Sequence, residues 1–204
     1  MSIRTWFSAV SSIEKIRDIV GCKDAKLERA LLKELNKDLM DDDGNVNLEE
    51  MDDWGRDEQE SGEDSIRSLI KGAKIELGSW LYLLEPIAVK RRLFLKLKLP
   101  FDNGGWRHTR VWMDYIEHVN QVVSKRSIKL LQHLDYGRPL KGKRLDCDGP
   151  IFSWLTNAEI QLLHKSLDQI EVFEDELRVE FHNQLLGTLA LCCKKKCDLF
   201  MGAG

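Results

Sequence analysis

Residues Leu39-Met40-Asp41-Asp42-Asp43-Gly44-Asn45-Val46-Asn47-Leu48-Glu49-Glu50 match a twelve-residue calcium loop at its third, fifth, sixth, eighth and twelfth positions. Such a loop needs a carboxylate at its first position, because that oxygen begins the coordination shell. Leu39 offers none, and Asp38 lies one residue out of register. An acidic stretch turning at Gly44 accounts for the same letters, and no calcium site is expected. A second grouping, Cys192, Cys193 and Cys197, with Cys147 or His182 as further donors, invites zinc or redox chemistry. Zinc sites usually present Cys-x2–4-Cys pairs on turns where two thiolates converge, and no second pair exists here. Cys192 instead extends the stripe Phe181, Leu185, Leu189, where a free cysteine acts as a small hydrophobe. Neither a metal nor a cofactor is expected.

Two histidines have a carboxylate one helical turn away, His118 after Asp114 and His164 before Asp168. Either pair has the groups for acid–base work, but this spacing more often gives exposed charge partners worth about 0.3–0.5 kcal/mol. There is no Gly-x-Ser-x-Gly elbow, no phosphate-binding loop and no dinucleotide fingerprint, and Gly104-Gly105 is too short to cradle a phosphate. An enzyme of unknown reaction is therefore a remote alternative.

Charge segregation is the strongest signal. The net charge of −3 conceals it: residues 38–64 hold thirteen Asp and Glu against Arg56 alone, a formal −12. Residues 88–144 hold fourteen Lys and Arg against four acids, a formal +10. The acidic stretch, with Asp41, Asp42, Asp43, Asp52 and Asp53 as candidate contacts, suits a basic protein partner, since opposite charge speeds encounter and sets specificity. The basic region, through Lys90, Arg91, Arg92, Arg107, Arg110, Lys125 and Arg126, with Trp106, Trp112 and Tyr115 between, could track a phosphate backbone. Core packing of Trp112 and Tyr115 under solvated cations is the simpler account. The acidic stretch could also lie over the basic face and neutralise it.

These groups must be carried by a mainly helical body. At 204 residues, 43% hydrophobic and 32% charged, the chain suits one domain with a packed core. Ile3–Val10 reads as a strand. Ser11 and Glu14 have capping-box spacing ahead of Ile13, Ile16 and Ile19, with Gly21 as the stop. A helix with Leu27, Leu31 and Leu35 runs from about Asp24 to Asp38. The acidic residues 38–64 read as a long solvated loop. Asp64 or Ser65 then caps a short helix through Ile66, Leu69 and Ile70 that stops at Gly72. Pro86 kinks or divides an apolar segment around Trp80, Leu84 and Ile87.

Leu93, Leu95, Leu97 and Leu99 alternate with Phe94, Lys96 and Lys98, a strand period, but we read helix there. After a turn at Pro100–Gly105, a helix buries Trp112, Tyr115, Ile116, Val119, Val122 and Val123, and Ile128–Leu134 continues it or packs beside it. Asp135–Pro150 reads as irregular. Thr156 and Glu159 form a capping box before Ile160, Leu163, Leu167 and Ile170. A long helix carries Phe173, Leu177, Phe181, Leu185, Leu189 and Cys192. Asp198–Ala203 is a closing strand that should pair with the first.

This order of elements, with Ile19-Val20-Gly21-Cys22-Lys23-Asp24, Ile66-Arg67-Ser68-Leu69-Ile70-Lys71-Gly72, Pro150 to Glu159 and Cys197-Asp198-Leu199-Phe200, resembles a bacterial family of uncharacterised proteins, a domain of unknown function. The resemblance spans most of the chain. It implies a bacterial source, one domain and helix across Leu93–Leu99, and it carries over no functional residues.

We therefore expect an α+β, mainly α domain over 1–204, with helices around a small sheet pairing the terminal strands. Five cysteines, an odd set, fit reduced thiols in the cytoplasm, and no export signal, membrane span or lipid anchor is read. The expected function is a non-catalytic interaction domain, of immunity or antitoxin type, for an unknown basic protein. Nucleic-acid or polyanion binding is the alternative.

Overall fold

A computed structural model describes residues 5–37, 53–73, 93–101, 110–139, 141, 151–170 and 175–203. It is mainly helical around one antiparallel sheet. Strand β1 (Thr5–Val10) and β3 (Asp198–Ala203) pair from Thr5 opposite Ala203 to Val10 opposite Asp198. Strand β2 (Ile151–Leu155) pairs with the other edge of β3, giving the order β1-β3-β2. The expected pairing of the terminal strands is therefore present. β2 has no counterpart among the elements expected from the sequence: its five residues fall between the irregular Asp135–Pro150 connection and the cap at Thr156.

Side chains on a strand alternate between faces, and here both faces are covered. Ala9, Leu155, Leu199 and Met201 enter a larger core with Trp112, Tyr115, Leu131, Leu163, Phe181 and Leu189. Val10, Trp154 and Phe200 enter a smaller one with Ile13, Ile16, Leu31, Ile66 and Leu69. The sheet is thus the middle layer between two helical layers. Helices α1 (Ile13–Arg17), α2 (Ala25–Leu35) and α3 (Asp53–Lys71) lie on one side. Helices α4 (Arg110–Val122), α5 (Lys125–Tyr136), α6 (Asn157–Leu167) and α7 (Glu176–Lys195) lie on the other. Among the described residues, no helix is long and apolar enough to cross a membrane.

Local signals held at several termini. The Asp24 carboxylate accepts from the N–H groups of Lys26 and Leu27 at 2.9 and 3.0 Å, and Thr156 and Glu159 complete a reciprocal capping box. Gly21 and Gly72 both sit at positive φ, 73° and 72°. They face each other so closely that a Cβ on Gly72 would lie 3.1 Å from the Gly21 Cα. That approach lets Gly21 N–H reach the Leu69 carbonyl at 2.8 Å and Lys23 N–H reach Ile70 at 2.9 Å, tying the α1–α2 turn to the end of α3.

Three expectations are corrected. Leu93–Leu99 is extended rather than helical. Leu93 accepts from Ser11 N–H at 2.8 Å, Leu95 donates to Ala9 at 2.9 Å, and Phe94 bridges to Val10, so this segment borders β1. Its period of two was the true signal: Leu93 and Leu99 are buried while Lys96 and Lys98 are exposed, and Pro100 disfavours helix just before it.

The acidic stretch 38–64 is not a loop throughout, because α3 begins at Asp53 and runs unbroken to Lys71. A helix needs only one apolar face to be held. Gly62 lies against Leu35, Asn36 donates to Glu63 at 2.8 Å, and Arg67 pairs with Glu63 and Asp64 while Glu60 stays in water. Residues 38–52 lie outside the described residues, as does the Trp80–Ile87 segment.

The third correction concerns α1. Its N-cap is Ser12, which makes no side-chain capping bond, and Glu14 pairs with Arg17 at 2.6 Å. The cap comes instead from Asp198, whose Oδ2 accepts from Ile13 N–H at 2.7 Å. The expected apolar faces also shorten: Val122 and Leu177 are 60% and 52% exposed.

Candidate functional site

Of the acidic candidates, Asp41, Asp42, Asp43 and Asp52 lie outside the described residues, together with the calcium-like stretch, and Asp53 opens α3. Of the basic candidates, Lys90, Arg91, Arg92 and Arg107 also lie outside, and Arg110 opens α4. Lys125 and Arg126 are neighbours in the first turn of α5 and are exposed. Cations there oppose the helix dipole, so they do not serve helix stability; the Ser124 hydroxyl, accepting from Ser127 N–H at 3.2 Å, does.

Arg138, part of the same basic region, has an internal task. It forms a two-pronged pair with Glu159 at 2.8 and 2.9 Å, donates to the Trp154 carbonyl at 3.2 Å and lies 3.5 Å from the Trp154 ring centre. Arg17 approaches the same ring at 5.0 Å, and the indole N–H donates to the Pro139 carbonyl at 3.3 Å. These contacts lock the segment after α5 onto the β2–α6 junction. Burial pushes the Glu159 carboxyl up, but hydrogen bonds from Arg138 and Thr156 outweigh it and hold the group below its ordinary value.

A carboxylate depressed in the folded state contributes stability that is complete above the unfolded value and is lost as pH falls through the folded one. Chemical denaturation between pH 7 and 3 should therefore show stability declining below about pH 4.5. In Arg138→Met the contribution of this pair to that decline should largely vanish. An unchanged acid slope would remove the pair from the pH dependence.

Four of the five cysteines are among the described residues. Cys192 and Cys197 are buried and Cys22 is exposed. Burial pushes the Cys192, Cys193 and Cys197 thiols up, away from thiolate character. Cys147 is outside the described residues, and among those described no group of three or more His, Cys, Asp or Glu is placed to hold a metal.

Asp168, one turn after His164, acts on His182. Burial lowers the His182 pKa and the Asp168 carboxylate opposes that shift. The His182 Nδ1 lies 2.9 Å from the Tyr115 hydroxyl, itself pushed up by burial. The contact gives the buried phenol a hydrogen-bond partner. Chemically it is a satisfied polar contact inside an aromatic cluster.

A groove not foreseen from the sequence opens beside the first turns of α7. It encloses about 510 Å³ and is lined by Pro100, Glu176, Val179, Glu180, Asn183 and Gln184. One wall is fixed by two contacts. A Cβ on Gly187 would lie 3.1 Å from Pro100 Cγ, and Phe101 N–H donates to the buried Thr188 hydroxyl at 2.8 Å. The available signal was the run Glu176, Glu180, Asn183, Gln184 and Gly187, which the helical period places along one side of α7. Comparisons of the chain with protein-family models, curated proteins and solved structures found no match.

Proposed function

We propose that this chain is a non-catalytic protein-interaction domain, a bacterial immunity or antitoxin-like protein of the cytoplasm, that binds a basic protein partner. One observation carries it. The −12 stretch at 38–64 runs into α3, whose end is rooted in the smaller core by Ile66, Leu69 and Ile70. Carboxylates of residues 53–64, carried on that helix, lose less freedom on docking than carboxylates on a free tail. Replacing Asp41, Asp42, Asp43, Asp52 and Asp53 together with Asn should weaken a captured basic partner several-fold at low salt, measured by titration calorimetry. Equal affinity would take the acidic stretch out of the interaction.

A second reading is favoured by one feature. Lys125, Arg126 and Lys129 are all exposed within the first two turns of α5, marking a cationic side of that helix. Phosphate-backbone binding there would fall steeply with salt. An electrophoretic shift assay with single- and double-stranded DNA and RNA at low salt separates the two readings.

A further inference from the structure

We infer that the groove between Pro100 and the first three turns of α7 is a docking site for a basic peptide segment, one carrying an apolar side chain flanked by Lys or Arg. This deepens the proposed function by naming a second contact surface, and it rests on the partner being basic. The six lining residues are all acidic or neutral, and Val179 with Pro100 supplies an apolar floor. Leu177, 52% exposed, stands one turn before Glu180 and two before Gln184 on the adjoining side of the helix. A large apolar side chain left in water at the mouth of a groove is where a partner's apolar anchor gains most from burial.

Charge and hydrogen bonding select the flanking residues. Glu176 and Glu180 are exposed and offer acceptors only. The Gln184 amide donates its Nε2 to Glu180 at 3.0 Å, and its buried Oε1 has no hydrogen-bond partner among the described residues. The two exposed carboxylates thus give the groove an excess of accessible acceptors. Ammonium and guanidinium groups supply donors and opposite charge, whereas an acidic segment would meet two carboxylates at close range. The wall carrying Pro100 is already seated on Gly187 and Thr188, so little ordering is required of this surface on binding.

The test uses the full chain, isotope-labelled, with three synthetic twelve-residue peptides: two leucines flanked by Lys and Arg, the same peptide with serines for leucines, and the leucine peptide with Glu flanks. Fluorescence anisotropy at low salt should show binding of the first only, with amide shifts concentrated at residues 176–187. Exposed pairs each contribute little, so Glu176→Gln/Glu180→Gln should weaken it by about five-fold, and Asn183→Arg should weaken it as well. Circular dichroism confirms that both variants fold.

Equal binding of the serine peptide, tighter binding of the acidic peptide, no binding at all, or shifts confined to residues 53–64 would each overturn the inference. So would self-association through this face, seen as a dimer in sedimentation that Glu180→Arg abolishes. If the five-aspartate variant loses its partner while Glu176→Gln/Glu180→Gln leaves peptide binding unchanged, the groove fails and the acidic-stretch reading stands. Loss of the leucine peptide in the groove variants alone supports the groove.

Discussion

Replacing Phe181 by alanine should destabilise the protein by about 3–5 kcal/mol, the range for deleting a fully buried aromatic ring. Its ring is 0% exposed and meets three others, Phe101 at 5.2 Å, Trp112 at 5.1 Å and Tyr115 at 4.7 Å, the first two edge-on. Those rings come from the segment after Lys98 and from α4, so Phe181 is where α7 holds both. None of the three can collapse into the vacated space easily. Phe101 is fixed by its backbone bond to Thr188, and Tyr115 by its hydroxyl contact with His182. Single domains are stable by roughly 5–15 kcal/mol, so the variant should lose a substantial part of its margin. Urea unfolding followed by tryptophan fluorescence and circular dichroism measures this. A loss below about 1 kcal/mol would show that the cluster relaxes freely and is not the core of the larger layer.

The second large effect is expected at Asp198. Its two carboxylate oxygens cap two helices at once: Oδ2 accepts from Ile13 N–H and Oδ1 from Asn157 N–H, both at 2.7 Å. Asn157 in turn donates its side-chain amide to the carbonyls of Cys192 and Cys197 at 3.1 and 3.0 Å, so the ends of α7, α6 and α1 meet around one residue. Asp198→Ala leaves both N–H groups without a partner, at about 1–3 kcal/mol each. The two sites share one side chain, so a total of roughly 2–5 kcal/mol is expected. Asp198→Asn should recover part of this, because its carbonyl oxygen can serve one helix while its NH2 opposes the other donor. Equal stability of Asp198→Asn and the parent would mean that only one of the two caps matters.

Signals confined to a few neighbouring residues were legible. The Thr156–Glu159 box, the Asp24 cap, the stops at Gly21 and Gly72 and the strands at either end depend on spacings of one to four residues or on β-branched and aromatic content. What failed was set by tertiary context. The α1 cap comes from a carboxylate 185 positions away, so Ser11 and Glu14, correctly spaced, were never used. Leu93–Leu99 showed its period of two, but helix was preferred for it; the edge of β1 supplied the bonds an isolated strand would lack. The carboxylates at 53–64 looked unable to build structure because the apolar anchor of their helix lies farther along, at Ile66, Leu69 and Ile70.

Of the candidate site, the sequence showed which charges exist and not where they stand. Arg138 counts toward the basic region by composition, yet its guanidinium is occupied by Glu159 and Trp154. The groove needed Pro100 and Gly187, 87 positions apart, to be brought together, much as Phe101 is bonded to Thr188. No local pattern encodes that approach.

The strand in the middle of the sheet is also the last one made. Among the named strands β1 and β2 each bond only to β3, so before β3 is made β1 has the 93–99 segment as a neighbour and β2 has no strand partner among the described residues. The sheet between the two hydrophobic layers is therefore completed only once residues 198–203 are available, and the long-range pairing of β1 with β3 is slow to form. A nascent chain stalled before Asp198 carries two open apolar faces, the state in which chaperone capture or aggregation competes with folding.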